Sequence, residues 1–300
     1  MDTKFNSPKG FGKILDHSFS LGKNYFAQFF TVFLLFMGPI FLLQALIRLV
    51  SGAGFFKGTG EGEFWFEQTV MSFEETPANI MADLGISLVS FISIFLYPVT
   101  LGTIMLMINH IRKNETFTLG QVLKEVFPRY GYLLASSFLF GLISFGLIFV
   151  PVIFISIVAI LSGFIHPAIG VILALLMILG MIIGVGYLLT RWSFYFGPVI
   201  LGEEPLGFSK SWKMTKSRVW ALFGLYIVFF LIISSITYSV EFSFAIILGN
   251  SVLVTLITGV VNLFTSMIFA VGYSVMYYDL KLRFEAEDLK SLISEYNVRP

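Results

Sequence analysis

Six long apolar stretches alternate with short segments that carry nearly all of the charge. They run about Phe26–Val50, Gly85–Asn109, Tyr132–Leu161, Pro167–Thr190, Val219–Ser239 and Ser251–Tyr278. A helix crossing a bilayer needs about 20 mostly apolar residues, and each stretch supplies them. The pattern predicts six transmembrane helices in one all-α integral membrane domain covering residues 1–300. The fourth is expected to continue through the aromatic run Trp192–Leu201, broken at Gly197–Pro198. Residues 1–25 are polar, and the first apolar run is too long for a cleavable signal.

Ahead of three of the spans lies a short segment with mixed polarity. These are Phe11-Gly-Lys-Ile-Leu-Asp-His-Ser-Phe19, Leu119-Gly-Gln-Val-Leu-Lys-Glu-Val-Phe127 and Leu206-Gly-Phe-Ser-Lys-Ser-Trp-Lys-Met214. In the first, Phe11, Ile14, Leu15, Ser18 and Gly22 fall on one helical face, with Lys13, Asp16, His17 and Lys23 on the other. The second is ended by Pro128. Each opens with an apolar residue and a Gly, and a large apolar residue (Phe19, Phe127, Met214) follows seven positions after that Gly. We read three pseudo-repeats of one unit, an amphipathic interfacial helix followed by a transmembrane hairpin. Pro39 and Pro151 fall in the outer halves of the first and third spans, and Ser234–Ser235 take that position in the fifth. A proline inside a span kinks the helix and frees a carbonyl.

Charge sets the orientation. Of the 19 Lys and Arg residues, all but Arg48 and Lys57 fall in segment 1–25, between the second and third spans, between the fourth and fifth, or in the tail 279–300. The positive-inside rule therefore puts both termini in the cytoplasm. The loop 51–84 is acidic, with Glu61, Glu63, Glu67, Glu74, Glu75 and Asp83, and is expected outside. Trp192, Trp212 and Trp220 fall near the inner boundaries, where amphipathic rings favour the headgroup level.

Composition agrees with this class and excludes others. The chain is 57% hydrophobic and 12% charged, with a mean hydropathy of +0.88, whereas soluble domains carry roughly 25% charged residues. A net charge of +1 offers no field for nucleic acid. The absence of Cys removes disulfides and Cys-ligated metals. His17, His110 and His166 are isolated, and no His-Glu-x-x-His helix occurs. There is no Gly-x-Ser-x-Gly elbow. The Gly-rich run Gly52–Gly62 lacks the spacing of a dinucleotide or phosphate loop, and the acidic loop lacks the spacing of a calcium loop. Asn114-Glu-Thr116 matches a glycosylation sequon by chance. Catalytic residues, cofactors and bound metals are therefore not expected.

Candidate interactions are fewer. Lys210, Lys213, Lys216 and Arg218 form the densest basic cluster, suited to anionic lipid or a protein partner; a solvated loop explains the charge equally well. Inside the spans no ionisable residue lies deep, since Arg48, Arg191 and Asp279 sit at span ends. Thr100, Thr103, Asn262 and Thr265 are the deepest polar groups, and Asn262 is the candidate hydrogen-bonding hub between helices. Gly180-x-x-x-Gly184, Ser137-x-x-x-Gly141 and Ser266-x-x-x-Ala270 offer close helix approach, in a bundle or an oligomer. In the tail, Ala286, Leu289, Leu292, Ile293 and Tyr296 form an apolar helical face.

Several runs carry a family likeness. Phe11-Gly-Lys-Ile-Leu-Asp-His-Ser-Phe19 with Gly38-Pro39, Arg191-Trp-Ser-Phe-Tyr-Phe-Gly-Pro-Val199, Phe208–Trp220 and Tyr277-Tyr-Asp-Leu-Lys-Leu-Arg-Phe284 resemble the bacterial proteins grouped with the membrane domain of glycerophosphoryl diester phosphodiesterases. In some members of that family the membrane region precedes a soluble catalytic barrel. The sequence ends at Pro300, soon after the last span, so the barrel is not expected and the enzymatic name does not carry over. The resemblance implies a multi-pass protein of the bacterial cytoplasmic membrane. The expected role is a non-enzymatic scaffold or regulator of envelope homeostasis, acting through interfacial helices on lipid headgroups or on a membrane or cytoplasmic protein. The alternative is a permease or lipid-handling subunit of a transport or antibiotic-peptide immunity system, motivated by the repeat and the kinked spans.

Overall fold

The computed structural model describes residues 5, 7–56, 80–164, 166–249 and 251–298, with side chains to residue 289. Most of the acidic loop, and Leu292, Ile293 and Tyr296 of the tail, lie outside the described residues and side chains. The described chain is helical, and no strand occurs in it. Its helices are α1 (Phe11–Asn24), α2 (Phe26–Val50), α3 (Ile80–Lys113), α4 (Leu119–Val126), α5 (Tyr130–Gly163), α6 (Pro167–Trp192), α7 (Phe196–Ile200), α8 (Phe208–Thr215), α9 (Val219–Leu248) and α10 (Val252–Val298). Six helical stretches are long and apolar enough to cross a membrane, so the chain is an all-α multi-pass membrane protein. The short helices α1 and α8 each precede two of these stretches and α4 opens the third, in the order the sequence predicts.

The three copies of the repeat depart from expectation in several positions. His17 is buried with Ile14, Ser18, Leu21 and Gly22, rather than lying on the polar face. It stands three residues after Ile14 and four before Leu21, so helical geometry puts it on their side. The recurring glycines are not equivalent either. Gly12 and Gly120 are ordinary helical residues with open space around them, whereas Gly207 caps α8 with φ +71°. Likewise Met214 is buried, while Phe19 and Phe127 are exposed.

Contacts divide the chain into two compact units that interleave in sequence. One comprises residues 12–118 and 227–275. Within it α2 packs beside α3, with Gln44 donating to Ser90 Oγ at 3.0 Å and Ile47 lying against Gly85. Residues 98–109 of α3 are buried on every side, which explains why that stretch is apolar all round rather than amphipathic. Gly259 and Gly272 admit the rings of Phe41 and Phe229. The deep hydroxyls are satisfied locally: Thr100, Thr103 and Thr265 donate to the carbonyls of Leu96, Val99 and Val261, each four residues back. This satisfies a polar group in lipid without a partner helix.

The other unit comprises residues 1–11, 119–226 and 276–300. Its α5–α6 hairpin presents mostly apolar side chains outward, and few of them are buried. The helices meet where Gly170 lies against the Ala159 carbonyl and Gly163. Gly141, Gly180 and Gly184 face open space among the described residues, so these small-residue motifs are not what joins this hairpin. α10 is one continuous helix of 47 residues. The tail is therefore an extension of the last span, with Ala286 and Leu289 exposed.

Candidate functional site

The polar chemistry of the second unit concentrates between the fourth and fifth spans. It starts with a break in the helix. α6 ends at Trp192 and a tight turn follows over Ser193–Tyr195, where Phe194 departs from helical geometry (φ −89°, ψ 18°). Pro198 explains the position. Its missing N–H would have bonded the Phe194 carbonyl four residues back, and its ring clashes with that carbonyl in a continuous helix. The interruption thus falls before Gly197–Pro198 and not at it, and Pro198 sits inside the short helix α7. Gly197 lies directly against the ring of Tyr277.

Helix α8 is held against this turn. Ser211 Oγ donates to the Arg191 carbonyl at 2.8 Å and accepts from the Phe194 N–H at 3.1 Å. Thr215 Oγ1 reaches the same Arg191 carbonyl at 3.3 Å. Tyr195 and Tyr226 donate to Ser137 and Ser193 at 3.1 and 2.9 Å. Arg191 itself is buried, and its guanidinium carbon lies 3.9 Å from the centroid of the Trp212 ring. Trp192 packs against Trp212, with 5.2 Å between centroids and the rings tilted by 34°.

Two carboxylates organise the charges. Glu203 pairs with Lys210 at 2.8 Å and with Lys281, and the Tyr277 hydroxyl approaches it at 3.4 Å. Burial alone would raise the Glu203 carboxyl, but the Lys210 and Lys281 ammoniums outweigh it and hold the group below the usual carboxylate range. Asp279 receives the Lys9 backbone N–H on Oδ1 at 2.6 Å and the Arg283 Nε on Oδ2 at 2.8 Å. Arg283 completes the clamp by donating to the Lys9 carbonyl at 2.8 Å.

The four residues of the basic cluster separate. Lys210 is drawn to Glu203. Lys213 and Lys216 are exposed, Arg218 is half-buried, and none of the three forms an ion pair among the described residues. Trp212 and Trp220 are exposed beside them. Asn262, in the first-described unit, is half-buried, and its carboxamide makes no hydrogen bond among the described residues. Sequence reasoning passed over Glu203 and took Asp279 only as a residue at a span end. Glu203 and Glu204 are the only acids in the basic segment 191–218, and Asp279 has Arg283 one helical turn ahead; both signals were present.

The Glu203 pairing carries a prediction. A carboxyl with a depressed folded pKa stabilises above its unfolded value, about 4.3, and loses that contribution as pH falls through the folded value. Unfolding in detergent should therefore become easier below about pH 4. Glu203→Gln should cost about 2 kcal/mol at neutral pH, leaving Lys281 with the exposed Glu285 as its one carboxylate among the described residues, and should flatten the acid limb. Thermal unfolding from pH 3 to 7, followed by tryptophan fluorescence, checks both; an unchanged acid limb in the variant would refute the assignment.

Comparison with protein-family models, with curated proteins and with solved structures gives no match to this chain. The functional reading therefore rests on the residues themselves.

Proposed function

We propose that this protein is a non-enzymatic scaffold or regulator of a bacterial cytoplasmic membrane, with both termini in the cytoplasm, acting through its interfacial helices on anionic headgroups. One observation carries the reading. After Glu203 takes Lys210, the exposed Lys213 and Lys216 keep no acidic partner among the described residues, beside the exposed rings of Trp212 and Trp220. Indole rings favour the headgroup level, and each basic side chain near an anionic surface contributes about 1 kcal/mol. The distribution of charge along the chain supports the same orientation.

The test compares the native protein with Lys213→Ala/Lys216→Ala in nanodiscs of mixed neutral and anionic lipid. Mass spectrometry then measures the lipid retained on extraction. The double variant should lower anionic enrichment roughly tenfold or more, and raised salt should reproduce the loss. Equal enrichment in both proteins at every salt concentration counts against this reading.

A further inference from the structure

We propose that Arg191 and Trp212 form a recognition site for a phosphate group at the end of the fourth span. The proposal deepens the headgroup reading and rests on it for the membrane-surface setting of Trp212. Arg191 is only 5% exposed. The Trp212 indole covers one face of its guanidinium. Stacking uses that face alone, because the five N–H donors lie in the guanidinium plane. None of these donors forms a hydrogen bond among the described residues, and Nε is sealed from solvent without a partner. No carboxylate of the described residues pairs with Arg191 either. A buried cation ordinarily has an anion or a set of acceptors, since burial without one is costly.

The neighbouring polar groups are committed elsewhere. Ser211 and Thr215 direct their hydroxyls to the Arg191 carbonyl, and Thr190 directs its own to the Gly186 carbonyl. Glu203 holds two lysines, and Glu204 accepts from the Lys210 backbone N–H at 3.1 Å. Helix α8 carries no acid. What remains is a positive planar donor edge with no anion among the described residues. A phosphate monoester or diester is its complement, because two phosphate oxygens match the guanidinium fork with two charge-assisted hydrogen bonds. Trp212 is 38% exposed and touches the guanidinium, so the site lies next to an accessible side chain.

A lipid headgroup and a soluble phosphate offer the same chemistry, so the experiment has two arms. The full chain is held in phosphate-free maltoside micelles and buffer. Phosphatidic acid is mixed into the micelles in one arm, with diacylglycerol as its uncharged control, and inorganic phosphate is added to the solution in the other. Tryptophan fluorescence and unfolding temperature report binding. A saturable response in the micelle arm identifies a headgroup, and one in the solution arm a soluble phosphate; either supports the site. Arg191→Lys should weaken it about tenfold or more, because the charge stays while the planar fork is lost.

In the unsubstituted protein, the same probe should protect Arg191 from phenylglyoxal, read by peptide mass spectrometry; this holds even where the variant folds poorly. No saturable response in either arm, no protection, or equal affinity in a folded Arg191→Lys overturns the proposal. Binding lost in Lys213→Ala/Lys216→Ala but retained in Arg191→Lys keeps the surface reading and discards this site.

Discussion

Asp279→Ala should release the segment before α1 and destabilise the protein by about 3–5 kcal/mol. The Asp279 side chain is 3% exposed, and both of its oxygens are used, one by the Lys9 N–H and one by Arg283. Removing the carboxylate leaves the Arg283 cation without its i−4 partner and the Lys9 amide without an acceptor, in a place where Lys9 is itself buried. Two penalties then act together: an uncompensated charge and an unsatisfied buried donor. Asp279→Asn keeps the shape and one acceptor oxygen, so it should cost less, about 1–2 kcal/mol. Unfolding in detergent ranks the three proteins, and limited proteolysis should cut near Lys9 faster in the Ala variant. An Ala variant with native stability and native resistance to cleavage would show that the clamp does not hold the N-terminal segment.

The contrast between Asp279 and the spans shows what a sequence can disclose. Six spans and three short helices were legible because each depends on residues within one or two turns of each other. The fate of Pro198 could be reasoned locally too, but only with the i−4 rule applied to Phe194; the Gly-Pro pair drew the expected break to itself. His17 was misplaced by its polarity although its spacing put it with Ile14 and Leu21. Arg191 lies near the end of α6 and Asp279 within the continuous α10, and both are buried, because the burial of a polar helical residue depends on what folds over it. For Arg191 that is Trp212, and for Asp279 it is Lys9, 270 residues away. Glu203 is the same case, since Lys281 comes from the far end of the chain. Periodicity reports a helix and its faces; it carries no signal for pairs brought together by topology.

The glycines that mark the repeat give the other large effect, and they should respond with opposite signs. Gly207→Ala is expected to cost about 2–5 kcal/mol. The backbone there has φ +71°, a conformation that disfavours any Cβ by roughly 1–2 kcal/mol. The added methyl would also meet the backbone carbonyl of Tyr195. That carbonyl belongs to the turn after α6 and cannot rotate away as a side chain would, so α8 itself must move. Moving α8 withdraws Ser211 from the Arg191 carbonyl and from the Phe194 N–H, and unfastens Thr215 as well. Gly120→Ala is the matched control. It occupies the same place in its repeat, lies inside α4, and leaves open space where an added methyl would go. There an Ala should leave stability unchanged or raise it by up to about 1 kcal/mol, through the lower entropy of the unfolded chain. Thermal unfolding of the two variants side by side decides the matter. If both lose stability, the two glycines share one role; if only Gly207→Ala does, then the third copy, unlike the second, uses its glycine to seat α8 on Arg191.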